Sequence, residues 1–142
     1  MDDRLKEEQK KNRNFVMTYR DHMPELRWLM RESGMAASIL NFMMEHMDYH
    51  NSLECPYQVF QECFGVSKST VRKSIKLLYE NGFIDITKDG TFNIYTVNSK
   101  VAWSSWADQK SQCKFHGKAL VSHKEKQDYS VHFEKLKSVR NR

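Results

Sequence analysis

Between two apolar-periodic stretches the chain reads Phe64-Gly65-Val66-Ser67-Lys68, and this short break constrains the fold more than any other feature. Gly65 can take the positive φ that ends a helix. Ser67 is a good N-cap, because its hydroxyl can accept a hydrogen bond from a free first-turn N–H. The spacing predicts one helix over about Pro56 to Cys63, with Val59 and Phe60 facing inward and Cys63 in the core. It predicts a second from Lys68 to about Glu80, stopping at Asn81-Gly82.

The residues after the second helix narrow the architecture. Phe83 to Ile86 alternates apolar and polar residues, Lys88-Asp89-Gly90 supplies a tight turn, and Thr91 to Val97 alternates again. In the second run Phe92, Ile94 and Thr96 share one face, and Asn93 and Tyr95 the other. Alternation on both sides of Asp-Gly is a strong hairpin signal. Upstream, Pro24 can open a helix reaching about Glu32, and Ser33-Gly34 breaks it. A helix from Met35 to about Met47 comes next, with Ala36, Ile39, Leu40, Met43 and Met47 on one face. Phe42 and Met44 widen that face, and the methionines read as core filling. Phe15 to Asp21 is a strand or an extended lead-in, and Tyr49 to Ser52 a polar connector. The expected class is α+β, mainly α: a winged helix-turn-helix with N-terminal helices and a β-hairpin wing. Residues 1–14 form a polar N-terminal arm, 15–101 the domain, and 102–142 a C-terminal basic extension. In that extension Phe115 to Val121 can add a strand, and Tyr129, Phe133 and Leu136 have helix-compatible spacing.

Charge distribution points to a polyanionic partner. The formal net charge of the 142-residue chain is +5. Such an excess favours polyanions through counterion release, but its placement says more. Lys68 to Lys76 holds four cations and no acid, whereas acids gather at Asp2, Asp3, Glu7 and Glu8 and from Glu45 to Glu62. Val71, Ile75 and Leu78 form the stripe that would lock the Lys68–Glu80 helix to the core. Away from that stripe lie Ser69, Lys73 and Lys76, flanked by Thr70 and Arg72. Charged donors suit phosphates, Arg suits guanine, and small hydroxyls allow close approach of a backbone. Ser67 and Ser69 stand at the helix N-terminus, where the dipole favours an anion. A solvated basic face alone is a common surface feature. Basic face, preceding turn and following hairpin together point to double-stranded DNA, read by Ser67, Lys68, Ser69, Thr70, Arg72, Lys73 and Lys76, with Lys88 on the wing.

Other chemistries fit less well. His46 and His50 are four apart, and Cys113 and His116 three apart, but no Cys-x-x-Cys pair completes a zinc site. No metal and no cofactor is expected. No glycine-rich phosphate loop or nucleophile elbow is present, so no enzyme is expected. Three widely spaced cysteines argue against a disulfide framework. With neither a signal-like apolar run nor a stretch able to span a bilayer, the expectation is a cytoplasmic protein without membrane contact. Trp103 and Trp106 either form an exposed protein-binding patch or pack the C-terminal arm over the wing, the latter being the better reading. A homodimer on two half-sites is expected, since one winged helix has a small footprint.

The segment FGVSKSTVRKSIKLLYENGFI, Phe64 to Ile84, resembles the recognition segment of many bacterial winged-helix proteins. With FMMEHMDYHNSLE before it, and YTVNSKVAW (Tyr95 to Trp103) and FHGKALV (Phe115 to Val121) after it, the chain resembles the plasmid replication protein RepL family. The Asn98 to Trp103 region carries the part specific to that family, with Ser99 in place of Pro. The resemblance implies recognition of origin DNA and replication initiation through recruited host replication proteins. A winged-helix transcriptional regulator, acting as a repressor, is the alternative.

Overall fold

The computed structural model describes residues 15–104 and Leu120. The N-terminal arm 1–14, Trp106, Cys113, His116 and, apart from Leu120, the extension beyond Ser104 lie outside the described residues. So do the expected strand at Phe115 to Val121, save Leu120, and the helical spacing after it.

Four α-helices and five short strands are described. In chain order they are β1 (Met17–Thr18), α1 (Met23–Glu32), α2 (Gly34–His46), β2 (Ser52–Glu54), α3 (Tyr57–Phe64), α4 (Lys68–Glu80), β3 (Ile84–Asp89), β4 (Phe92–Val97) and β5 (Ala102–Trp103). A single 3-10 turn, Arg20–His22, leads into α1. The fold is α+β, with α3 and α4 forming the helix-turn-helix and β3–β4 the wing.

Each helix ends where local chemistry ends it. Pro24 sits in the first turn of α1. Ser33 both stops α1 and starts α2, because its Oγ accepts from the Ala36 N–H at 3.0 Å. Gly34, expected to be part of a break, is the first residue of α2. Gly65 takes φ 62° at the C-cap of α3. Ser67 caps α4, accepting from the Thr70 N–H at 3.2 Å.

The core lies where α2, α4 and the sheet converge. Ala36, Ile39, Leu40 and Met43 of α2 and Val71, Ile75 and Leu78 of α4 are all buried. The ring of Phe42 meets Phe60 edge-on at 5.6 Å and Phe64 at 5.8 Å, and Phe60 meets Tyr95 at 5.7 Å. This aromatic chain ties α2 to α3 and α3 to β4. Edge-on pairs of this kind add to area burial because ring edges are positive and faces negative.

The sheet holds one strand more than the hairpin. Its order is β2-β4-β3, all antiparallel. Ser52 was expected in a connector, yet it begins β2, opposite Thr96, and their hydroxyls lie 2.9 Å apart. Asp89 pairs with Phe92, so the two-residue turn is Gly90-Thr91, one residue later than the Lys88-Asp89-Gly90 turn expected. Gly90 has φ 65°, the positive value a hairpin turn demands at its first central position. Burial in β4 grows towards its end: Tyr95, Thr96 and Val97 are buried, while Phe92 is exposed.

A second, two-stranded sheet pairs β1 with β5, Met17 opposite Trp103. Ala102 and Trp103 are fully buried, so the packed domain continues past the boundary expected at Val101. Trp103 therefore belongs to the interior and not to an exposed patch. Leu120 also packs against the core.

Two asparagines hold this corner. Asn51 has φ 62° and is completely buried. Its Nδ2 donates to the carbonyls of Val97 at 3.1 Å and Ala102 at 2.7 Å. Its Oδ1 accepts from the Ser104 N–H at 3.2 Å, while the Ser104 hydroxyl donates to the Asp48 carbonyl at 2.5 Å. Asn98 donates through Nδ2 to the Gly82 carbonyl at 2.9 Å, while its Oδ1 accepts from the Lys100 N–H at 3.0 Å. The Asn98–Trp103 stretch thus turns the chain out of β4 and lays β5 beside β1. Side-chain amides suit such corners because they offer a donor and an acceptor to backbone groups that no strand pairs.

Candidate nucleic-acid interface

The buried stripe of α4 fixes the rotation of the helix, and its rotation decides where the cations point. Val71 and Leu78 are fully buried and Ile75 nearly so. Ser74 joins them, its hydroxyl donating to the Thr70 carbonyl at 2.9 Å. At 100° per residue, this places Lys73 and Ser69 on the outer crest and Lys68 and Arg72 on one flank. All four are exposed.

That flank faces the wing. A cleft of about 830 Å³ opens between the start of α3, the first turns of α4 and the hairpin tip. Lys68 and Arg72 line it from α4, and Lys88 from β3. Three cations from two separate elements thus border one concavity. Tyr57, Gln58 and Gln61 of α3 and Phe92 and Asn93 of β4 line it as well. Phe92 is 46% exposed.

The other residues expected at the site fall elsewhere. Ser67 and Thr70 turn towards each other, with hydroxyls 3.1 Å apart and the Ser67 oxygen engaged in the cap. Their role in the structure is to start the helix. Ser69 and Lys73 stand on the crest outside the cleft. Lys76 is exposed one turn further along, with its ammonium 3.9 Å from the Glu80 carboxylate. That neighbour offsets part of its charge.

The aromatic and amide residues of the cleft were not singled out from sequence. A signal existed for one of them. Phe92 comes almost directly after the turn in an otherwise polar hairpin tip, a position where no core is within reach. Tyr57, Gln58 and Gln61 gave no such signal, since their place opposite the wing depends on the packing of α3 on α4.

The cysteines and histidines separate from this site. Cys63, expected in the core, is exposed near the end of α3, whereas Cys55 is buried. Burial, with the Cys63 thiol nearby, pushes the Cys55 thiol up from 9.0 to about 11, so it stays protonated and a poor nucleophile. Helix α2 ends at His46, so His46 and His50 do not share a helix face. Among the described residues no helix is long and apolar enough to cross a membrane.

No curated protein and no solved structure matches the chain. The family model described as Firmicute plasmid replication protein (RepL) matches residues 2–131. That span takes in every described element, including the Asn98–Trp103 corner after the wing. The chain belongs to the RepL family of plasmid replication proteins.

Proposed function

We propose that this protein is a replication initiator that binds double-stranded origin DNA, without catalysis of its own. The observation that carries the reading is the convergence of Lys68, Arg72 and Lys88, from helix and wing, on one cleft beside the exposed crest of α4. In this reading Ser69, Lys73 and Arg72 enter a major groove, and Lys88 grips the adjoining backbone. Phosphate contacts would set position, and a bidentate Arg72–guanine contact would contribute sequence preference. The protein would work in the cytoplasm as a homodimer on paired half-sites, and host enzymes recruited to the origin would copy the plasmid.

The test is replication of a plasmid that lacks any other origin and carries this chain's own gene with its flanking DNA. The wild-type gene should maintain the plasmid, and the Arg72→Ala and Lys88→Ala double variant, folded by circular dichroism, should not. Binding of the flanking duplex without maintenance of the plasmid would favour a transcriptional repressor on the same fold.

A further inference from the structure

The cleft between α4 and the wing is more than a basic surface, because its walls mix three chemistries. Lys68 and Arg72 of α4 and Lys88 of β3 bring three cations. Tyr57 and Phe92 bring aromatic rings from two other elements. Gln58 adds an amide that can both donate and accept. A phosphate backbone alone calls only for the cations. An intact duplex hides its base faces in the stack and offers a protein only edges and phosphates. Rings presented beside cations match a different ligand, an unpaired nucleotide, which exposes a π-face next to a charged phosphate.

Phe92 strengthens the case. It sits at the hairpin tip, opposite Asp89 in the register, and leaves nearly half its surface in solvent. The solvent-facing part of the ring gains no hydrophobic stabilisation from the described fold. It lines the same cleft as Lys68 and Arg72.

We infer that this cleft holds an unpaired nucleotide of an opened DNA strand. Its base stacks on Phe92, and its phosphate is held by Lys68, Arg72 and Lys88. The inference rests on the DNA-binding reading above and deepens it: the same face that docks on the duplex retains a strand once pairing is lost.

The experiment uses the full chain and a mixed-sequence 24-nucleotide DNA in three forms: single strand, perfect duplex, and duplex with a central three-nucleotide mismatch carrying 2-aminopurine. Fluorescence anisotropy gives affinity, and 2-aminopurine emission reports stacking. Wild type should prefer the mismatched duplex to the perfect one at least about fivefold. Phe92→Ala should lower affinity for the single strand roughly 5- to 150-fold, the effect of losing one base–aromatic stack. It should also remove the emission change, and Phe92→Tyr should restore both. Binding of the perfect duplex with no preference for the mismatch, and with emission the same in wild type and Phe92→Ala, would overturn this inference and leave the duplex reading standing. Binding to none of the three forms would overturn both.

Discussion

Replacing Asn51 by Ala should destabilise the protein by about 2.5–5.5 kcal/mol. The amide makes three hydrogen bonds, two to the carbonyls of Val97 and Ala102 and one from the Ser104 N–H. At roughly 0.5–1.5 kcal/mol each, their loss costs about 1.5–4.5 kcal/mol, with the upper part favoured because the site excludes water. The backbone adds to this. Asn51 holds φ 62°, where Ala pays roughly 1 kcal/mol more than Gly. Asn51→Gly should therefore be less damaging than Asn51→Ala by about that amount, since it loses the same bonds without the backbone penalty. The total approaches the whole stability of many domains, roughly 5–15 kcal/mol. Urea unfolding followed by tryptophan fluorescence measures all three proteins, and Trp103, beside the corner, reports its opening. A loss below about 1 kcal/mol for Asn51→Ala, or an Asn51→Gly protein less stable than the Ala variant, would refute the assignment of Asn51 as the pin of the β4–β5 corner.

Three further outcomes are expected. In a salt titration of duplex binding, the Lys68→Ala, Arg72→Ala, Lys88→Ala triple variant should lose about 2–3 units of log–log slope, at roughly 0.9 per phosphate contact, while Lys76→Ala loses less because Glu80 lies 3.9 Å away; equal slopes for the triple variant and wild type would remove the cleft from the DNA interface. Val71→Ala should lower stability by roughly 1.5–3 kcal/mol through a buried cavity without moving the salt slope, measured by thermal melts beside the same titration. Stability should fall as pH rises from about 9 towards 11, because burial raises Cys55 to about 11 and raises Tyr95 as well. The unfolded chain then releases protons first, so the stability present below about pH 9 is lost as each folded group finally ionises. Urea midpoints across this range should show a shallower decline in Cys55→Ala than in wild type, and parallel declines would exclude Cys55 as a contributor.

Much of the candidate site was legible because its signals are local. A helix period, a serine cap and a glycine with positive φ act within one or two turns of chain, so Lys68–Glu80 and its inward stripe could be read directly. The hairpin was legible for the same reason, though its turn lies one residue beyond the one expected. Alternation along β4 separated two faces without naming the inner one. The inner face is set by α2 and α3, which close over Tyr95 and Val97.

Contacts between distant residues were not legible. Asn51 is polar and comes after a polar run, which in sequence reads as a loop; only the arrival of Val97, Ala102 and Ser104 makes it a buried anchor. β2 is three residues long and shows no periodicity of its own, because its hydrogen bonds depend wholly on β4 being alongside. Likewise the strand partner of Trp103 is invisible in sequence, because β1 reaches it from the other end of the domain. The cations divide in the same way. Sequence alone determined that α4 would carry Lys68, Arg72, Lys73 and Lys76 away from its buried stripe, since a helix assigns faces by residue number. Tertiary structure alone decided which of them share a concavity with Lys88, Tyr57 and Phe92, because that depends on the angle at which the wing and α3 pack against the helix.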